Sequence, residues 1–253
     1  MALSHTSPAP ARITRVVLSP AYEQVCAQVR RAVHLGEYVP GDRLPSERDL
    51  AKQLGVSRMT VREALRVLQA EGYVIATGRA GGGRLVVAPT GENAQWPLKS
   101  PGPWLHYLSE RWGEIDSLFE FRLANECAAA RLAATRRTAA QLRVLDESLE
   151  ALRASDNIPR FRRADSTFHL CIAEASANPY FRRAIEEARA DMFRPLDIVD
   201  IDVSVSSAVP HHTAILKAIR AKDAAAAERA MAAHIETART EIRRIIKQGG
   251  RRR

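Results

Sequence analysis

The sequence predicts a mainly helical protein in two parts, an N-terminal winged helix-turn-helix followed by an all-helical bundle. Three observations carry this. Residues 43–75 read as a helix, a tight turn and a second helix. Residues 77–84, TGRAGGGR, make a glycine-rich tip between two short apolar runs, as in a hairpin. Residues 105–247 read as helix after helix, with no strand-like alternation of any length.

In chain order, residues 1–19 are rich in Pro, Ser and Ala, carry Arg12 and Arg15, and are expected to be a flexible arm. Residues 20–35 form a first helix. Its inward face is Tyr22, Val25, Val29, Ala32 and Val33, while Arg30 and Arg31 are expected in solvent. Gly36 ends it and Pro40-Gly41 makes a turn. Pro45 and Ser46 open the next helix. Ser46 is a good N-cap, and Asp49 three residues on is a short-armed variant of the capping box. Leu50 and Leu54 form its buried stripe, and Gly55 stands where the helix end needs a left-handed residue. Val56 plugs the corner. Ser57 then caps a helix from Arg58 to Ala70, with Val61, Ala64, Leu65 and Leu68 inward.

The outward start of that helix carries Arg58, Met59 and Arg62, with Thr60 beside them. A helix fits the major groove of duplex DNA, and residues at its N-terminal end reach base edges. Arginine offers two donors to guanine O6 and N7 at once. Ser57 and Thr60 can donate to phosphate, helped by the positive end of the helix dipole. Two arginines on a lone helix usually mean a solvated face; here cap, glycine corner, apolar plug and arginines coincide.

Tyr73-Val74-Ile75 and Leu85-Val86-Val87 are expected to pair as the wing. Gly81 and Gly82 let backbone approach a phosphate, and Arg79 or Arg84 can neutralise it or enter the minor groove. A nucleotide cradle is excluded, because no G-K-[ST] and no helix follow. Residues 20–89 are thus the DNA-binding domain. A proline-rich linker at 90–104 precedes the helical domain at 105–247 and a basic tail at 248–253. Helices are expected at about 114–134, 138–154, 159–176, 179–194, 204–221 and 223–247, with Pro195 and Pro210 as points of kinking or termination.

Length and composition agree. The 253 residues suffice for two modest cores, and a net charge of +9 suits a polyanionic partner. The three cysteines, Cys26, Cys127 and Cys171, are scattered, so free thiols in a reducing cytoplasm are expected. No apolar run approaches the roughly 20 residues a bilayer span needs, and the N-terminus lacks a signal-peptide core.

A second constellation lies in the helical part. Asp165 and His169 are four apart and share a helix face, turned inward by the neighbouring Phe168 and Ile172. His211 and His212 sit on a later helix, and His234 on the last one. A carboxylate with three imidazoles is a competent first-row metal set, and its affinity should fall in acid. A single histidine on an apolar face is more often a satisfied core residue, so the weight falls on the joint pattern.

HLGEYVPGDRLPSERDLA, followed by GVSRMTVREALRVLQAEGYV and the glycine-rich wing, resembles the GntR family of bacterial transcription regulators. That resemblance implicates Arg48, Ser57, Arg58, Met59, Thr60 and Arg62 in operator contact; Met59 departs from the small polar residue common in its slot. Residues 114–245 resemble the FCD effector domain of the FadR subgroup, through FRLANECAAARLAA, DSTFHLCIAEASANP, and H-x-A-I-L followed by M-x-x-H. This implies metal ligands Asp165, His169, His212 and His234, with His211 in the slot of the family's usual glutamate and a candidate outer-shell group. The ion expected is divalent: zinc first, with nickel, manganese or iron as alternatives. The resemblance also makes Arg122 a candidate for gripping an effector carboxylate, against an ion pair with Glu126 at i, i+4.

The expected protein is therefore a homodimeric, cytoplasmic DNA-binding regulator and not an enzyme. Its expected mode is repression of a pseudo-palindromic operator, under control of a small organic acid. A metal hydrolase on a DNA anchor and a purely structural ion are the competing readings.

Overall fold

A computed structural model of the protein describes residues 19–77, 83–87, 106, 108–196 and 201–249. Residues 1–18 of the expected arm, the linker, residues 250–253 of the tail, and the wing tip with Arg79, Gly81 and Gly82 lie outside the described residues, while Gln248 and Gly249, expected in the tail, continue the last helix.

The first unit is built from α1 (Ala21–His34), α2 (Glu47–Leu54), α3 (Arg58–Ala70) and a hairpin of β1 (Val74–Ala76) and β2 (Arg84–Val86). Both cap expectations hold. Ser46 Oγ accepts from the Asp49 N–H and Ser57 Oγ from the Thr60 N–H, while Gly55 takes φ of 65°. The Asp49 carboxylate, however, accepts from the Ser46 hydroxyl at 2.5 Å, an arm too short for the reciprocal backbone bond of a full capping box. Val61, Ala64, Leu65 and Leu68 are fully buried against Val25, Val29 and Val33 of α1.

Two expectations are corrected. Arg30 is not simply solvated: it makes a two-pronged bond to Glu71 at 2.6 and 2.8 Å, fastening α1 to the end of α3. The strands lie one residue nearer the wing tip than expected, while the pairing of Val74 with Val86 and Ile75 with Leu85 is the one those spans imply. Arg43 adds an isolated bridge to Leu85, so the segment ahead of α2 edges the hairpin.

The second unit is a bundle of α4 (Trp112–Arg136), α5 (Ala139–Arg153), α6 (Ile158–Ala175), α7 (Pro179–Leu196), α8 (Ile201–Arg220) and α9 (Ala224–Gly249). Each lies within a few residues of its expected span. Thr138 and Gln141 form a complete capping box at α5, and Asn157 caps α6 with Pro159 in its first turn. Leu196 ends α7 one residue past Pro195, whereas Pro210 lies inside α8, which continues through it. The core runs through Phe119, Leu145, Phe168, Ile215, Ile219, Met231 and Ile235, all fully buried. Among the described residues no helix is long and apolar enough to cross a membrane. The three cysteines are free and buried.

Candidate metal centre and nucleic-acid face

In the bundle, α6 supplies Asp165 and His169, α8 supplies His212 and α9 supplies His234. One donor atom from each lies within 4.8 Å of every other, and all four residues are buried. Sequence separation had made only the first pair local; packing of α8 and α9 brings in the others.

The hydrogen bonds around the imidazoles dictate which nitrogen is bare. His169 Nδ1 stands 2.5 Å from the Glu126 carboxylate, and His212 Nδ1 stands 2.8 Å from the Ala208 carbonyl. Both partners can only accept, so both Nδ1 atoms carry the proton and both Nε2 atoms present lone pairs. Those Nε2 atoms are fully buried and have no hydrogen-bond partner. They face Asp165 Oδ1, at 3.1 Å from His212 and 3.8 Å from His169. The shorter approach has an ion pair's length but not a hydrogen bond's geometry. Lone pairs of neutral imidazoles facing a carboxylate repel unless a cation lies among them. Three imidazole nitrogens and one carboxylate oxygen are the donor chemistry of a first-row divalent ion.

Electrostatics keep the set deprotonated. Burial and then the neighbouring Arg189 push His169 down to about 4. Burial, followed by the other two imidazoles, holds His234 well below the usual histidine range. Burial opposes ionisation of Asp165, but Arg189 and the imidazoles outweigh it and hold the carboxyl well below its usual range. Glu126 is treated the same way, with Arg122 and His169 outweighing its burial.

One residue of this site was not singled out from sequence, and the role of another was missed. Arg189 on α7 is almost fully buried and bonds Asp165 Oδ2, the oxygen turned away from the imidazoles. Its signal was present: Ile185, Arg189 and Met192 recur at spacings of four and three, a cation in a buried stripe. Glu126 orients His169 through Nδ1, where sequence had made it only a partner of Arg122. Arg122 is buried and takes the ion-pair alternative, bonding Glu126 at 2.5 Å and Met192 Sδ at 2.9 Å. His211 is half-buried with its ring 5.8 Å from that of His234; among the described bonds none ties it to a ligand.

On the first unit, Arg48, Ser57, Arg58 and Met59 are exposed, and Thr60 is half-exposed. Arg62 is exposed too and bonds Glu47 at 3.1 and 3.2 Å, holding the start of α2 to α3. The face is thus solvent-accessible and cationic, with a helix N-terminus at its centre. Ser57 has two duties there, as cap and as candidate phosphate donor, and substitution separates them. Ser57→Asp keeps the cap, so its melting temperature should stay near wild type while DNA affinity drops. Ser57→Ala should lose roughly 0.5–2 kcal/mol of stability. Thermal melts alongside duplex-binding titrations check both; tight DNA binding by Ser57→Asp would refute phosphate contact there.

Comparison with known proteins agrees in both halves. Residues 21–82 match the profile described as bacterial regulatory proteins, gntR family, and residues 117–237 match the FCD domain. The chain is 33% identical over 231 residues to the HTH-type transcriptional repressor NanR of Citrobacter rodentium, covering 89% of this chain and 85% of that protein. It is 30% identical over 238 residues to the "Putative L-lactate dehydrogenase operon regulatory protein" of Escherichia coli, covering 88% and 86%. Among solved structures, E. coli McbR/YncC superposes with a TM-score of 0.53 at 20% identity, covering 90% of this chain and 99% of that one, a likeness of fold.

Proposed function

The chain belongs to the GntR family of bacterial regulatory proteins, with an FCD domain as its helical half, and on that premise we propose that it is a metal-containing, ligand-responsive repressor. That it is a DNA-binding regulator follows from the family. The observation supporting the finer reading is the pair of bare, buried Nε2 atoms turned toward Asp165.

Asp165, His169, His212 and His234 would hold a divalent ion, zinc first among candidates. Bound there, such an ion would supply the positive charge that attracts a small carboxylate. Arg189 neutralises the outer oxygen of Asp165, and Glu126 keeps His169 in the metal-binding tautomer. Arg122 remains the candidate for the effector carboxylate, and reaching it means sharing its guanidinium with Glu126. The L-lactate dehydrogenase operon regulator among the relatives is named for a hydroxyacid enzyme, which fits a carboxylate effector. Two subunits would set their α3 helices in successive major grooves, roughly 34 Å apart. The effector acts by binding the DNA-competent and incompetent arrangements with different affinity.

Arg58→Ala is expected to weaken binding to a duplex selected from a random pool by about 10–100-fold, the 1–3 kcal/mol of a bidentate base contact. It should weaken binding to unselected duplex far less. Fluorescence anisotropy at one fixed salt concentration measures both, and equal losses would remove base readout by Arg58. Repeating the titration with and without zinc and a set of small carboxylates tests the regulatory half. If stripping zinc lowers the melting temperature but no carboxylate alters DNA affinity, the ion is a structural staple instead.

A further inference from the structure

Among the described residues, a bundle side chain grips backbone of the DNA-binding unit at the turn after α1. Arg163 on α6 donates from Nε to the Gly36 carbonyl at 2.6 Å. Its Nη2 donates to the Glu37 carbonyl at 3.1 Å and to Asp42 Oδ2 at 2.8 Å. The other oxygen-bearing duty of Asp42 is local: Oδ2 also accepts from the Val39 N–H at 2.9 Å, so the turn that Arg163 holds is itself tied together.

Gly36 makes the grip possible. It has φ of 74°, and a Cβ there would lie 2.7 Å from the Arg163 nitrogen and 2.8 Å from its Cα. These are backbone atoms of a buried helix, so no side-chain adjustment relieves the clash. Leu35, next in line, is buried among Ala129, Leu170, Ala173, Ile185 and Ala190 of the bundle rather than in the core of its own unit. Beside this contact a cavity of about 350 Å³ opens between Leu35, Val144, Ser166 and Leu170. One flank of the grip is therefore not sealed by packing, and the junction rests on Arg163, on Leu35 and on the packing of α1 against α7.

The same helix carries Asp165 two residues on and His169 six residues on. A hydrogen-bonded helix moves as a unit over so short a span, so any displacement of α6 at the ligand set is delivered at Arg163. We propose that Arg163, closing on the Gly36–Asp42 turn, is the positioning residue through which α6 sets the placement of the winged unit relative to the ligand site. The proposal rests on the regulatory reading above. It is specific to this guanidinium: the three acceptors are two carbonyls and a carboxylate, a set that a planar fork satisfies and a single ammonium satisfies only in part.

The test uses the full-length protein in three variants, Arg163→Ala, Arg163→Lys and Gly36→Ala. Spin labels go on Lys52→Cys and Glu147→Cys, both exposed positions, in labelled chains diluted into unlabelled ones. The native cysteines are buried, with Cys127 and Cys171 pushed up to about 11, and stay unlabelled. Arg163→Ala and Gly36→Ala should broaden the label–label distance distribution. Zinc affinity should stay within about threefold of wild type, because no ligand changes. The zinc-dependent difference in affinity for the selected duplex should be abolished, and Arg163→Lys should restore part of it through Asp42. An unchanged distance distribution in Arg163→Ala overturns the proposal, as does a wild-type zinc response in that variant. Should the wild type itself show no change in DNA affinity with zinc, alone or with the small carboxylates, the regulatory reading fails. The distances then decide the grip alone, broadened supporting it and unchanged refuting it.

Discussion

Asp165→Asn is expected to lower zinc affinity by well over 100-fold and to cost the metal-free protein about 3–5 kcal/mol. The two losses have separate causes. Asp165 is the only anionic donor among the four candidate ligands, so an amide in its place leaves three neutral imidazoles to hold a dication. Loss of an outer-shell partner typically costs 10–100-fold, and loss of the sole charged ligand must exceed that. In the absence of metal, the same carboxylate neutralises Arg189, which is buried at 1% exposure on the far side of the ligand cluster. A buried cation deprived of its nearer counterion, with only the Glu126 carboxylate left at 4.0 Å, is the expensive half of a broken ion pair. Competition with a chromophoric chelator reads the first effect and urea unfolding with excess chelator the second. Glu126→Gln is the informative companion. It keeps an acceptor near His169 Nδ1 but removes the charge, and should fall in the 10–100-fold range. Wild-type zinc affinity in Asp165→Asn would eliminate the proposed centre.

The metal-free protein should also lose stability steeply in mild acid, by about 3 kcal/mol from His169 alone. His169 is held at about 4 in the fold, below the ordinary histidine value of about 6.5. Between those two values the unfolded chain binds a proton that the folded protein does not. Protons therefore favour unfolding, and stability falls as pH drops from about 6.5 toward 4, below which the loss is complete. His234, lowered for the same first reason of burial, contributes in the same direction. Zinc should flatten the upper part of this dependence by stabilising the folded state through its own binding energy, until protons displace it. Urea midpoints taken across this range, with chelator and with zinc, give the two curves. A chelated protein as stable at pH 4.5 as at pH 7 would mean that these imidazoles are not held neutral by burial.

The winged unit was legible because its signals are local. Ser46, Gly55 and Ser57 act within one turn of themselves, and their effect on the chain needs no distant partner. The inward stripe of α3 follows from a 3.6-residue period in the same way. The bundle's helices were readable for that reason too, and so was the shared face of Asp165 and His169. Their two remaining candidate partners came from a resemblance of motif, since nothing in the spacing of His212 or His234 says which face of α8 or α9 meets α6.

What the fold alone decided are the contacts between residues far apart in sequence. Arg30 looked solvated because its partner Glu71 lies 41 residues on. Glu126 reaches His169 across 43 residues, Arg189 reaches Asp165 across 24, and Arg163 reaches Gly36 across 127. Each is a charge, buried in all but Arg30 and the exposed Arg163, whose partner is chosen by which helices pack together. Helix packing depends on the summed shape of whole apolar faces, a quantity no single window of sequence contains. The chain thus wrote down its helices, its caps and the exposed arginines at the start of α3 in local chemistry. It left to tertiary packing which charge neutralises which, and hence how the ligand cluster is held and fastened to the DNA-binding half.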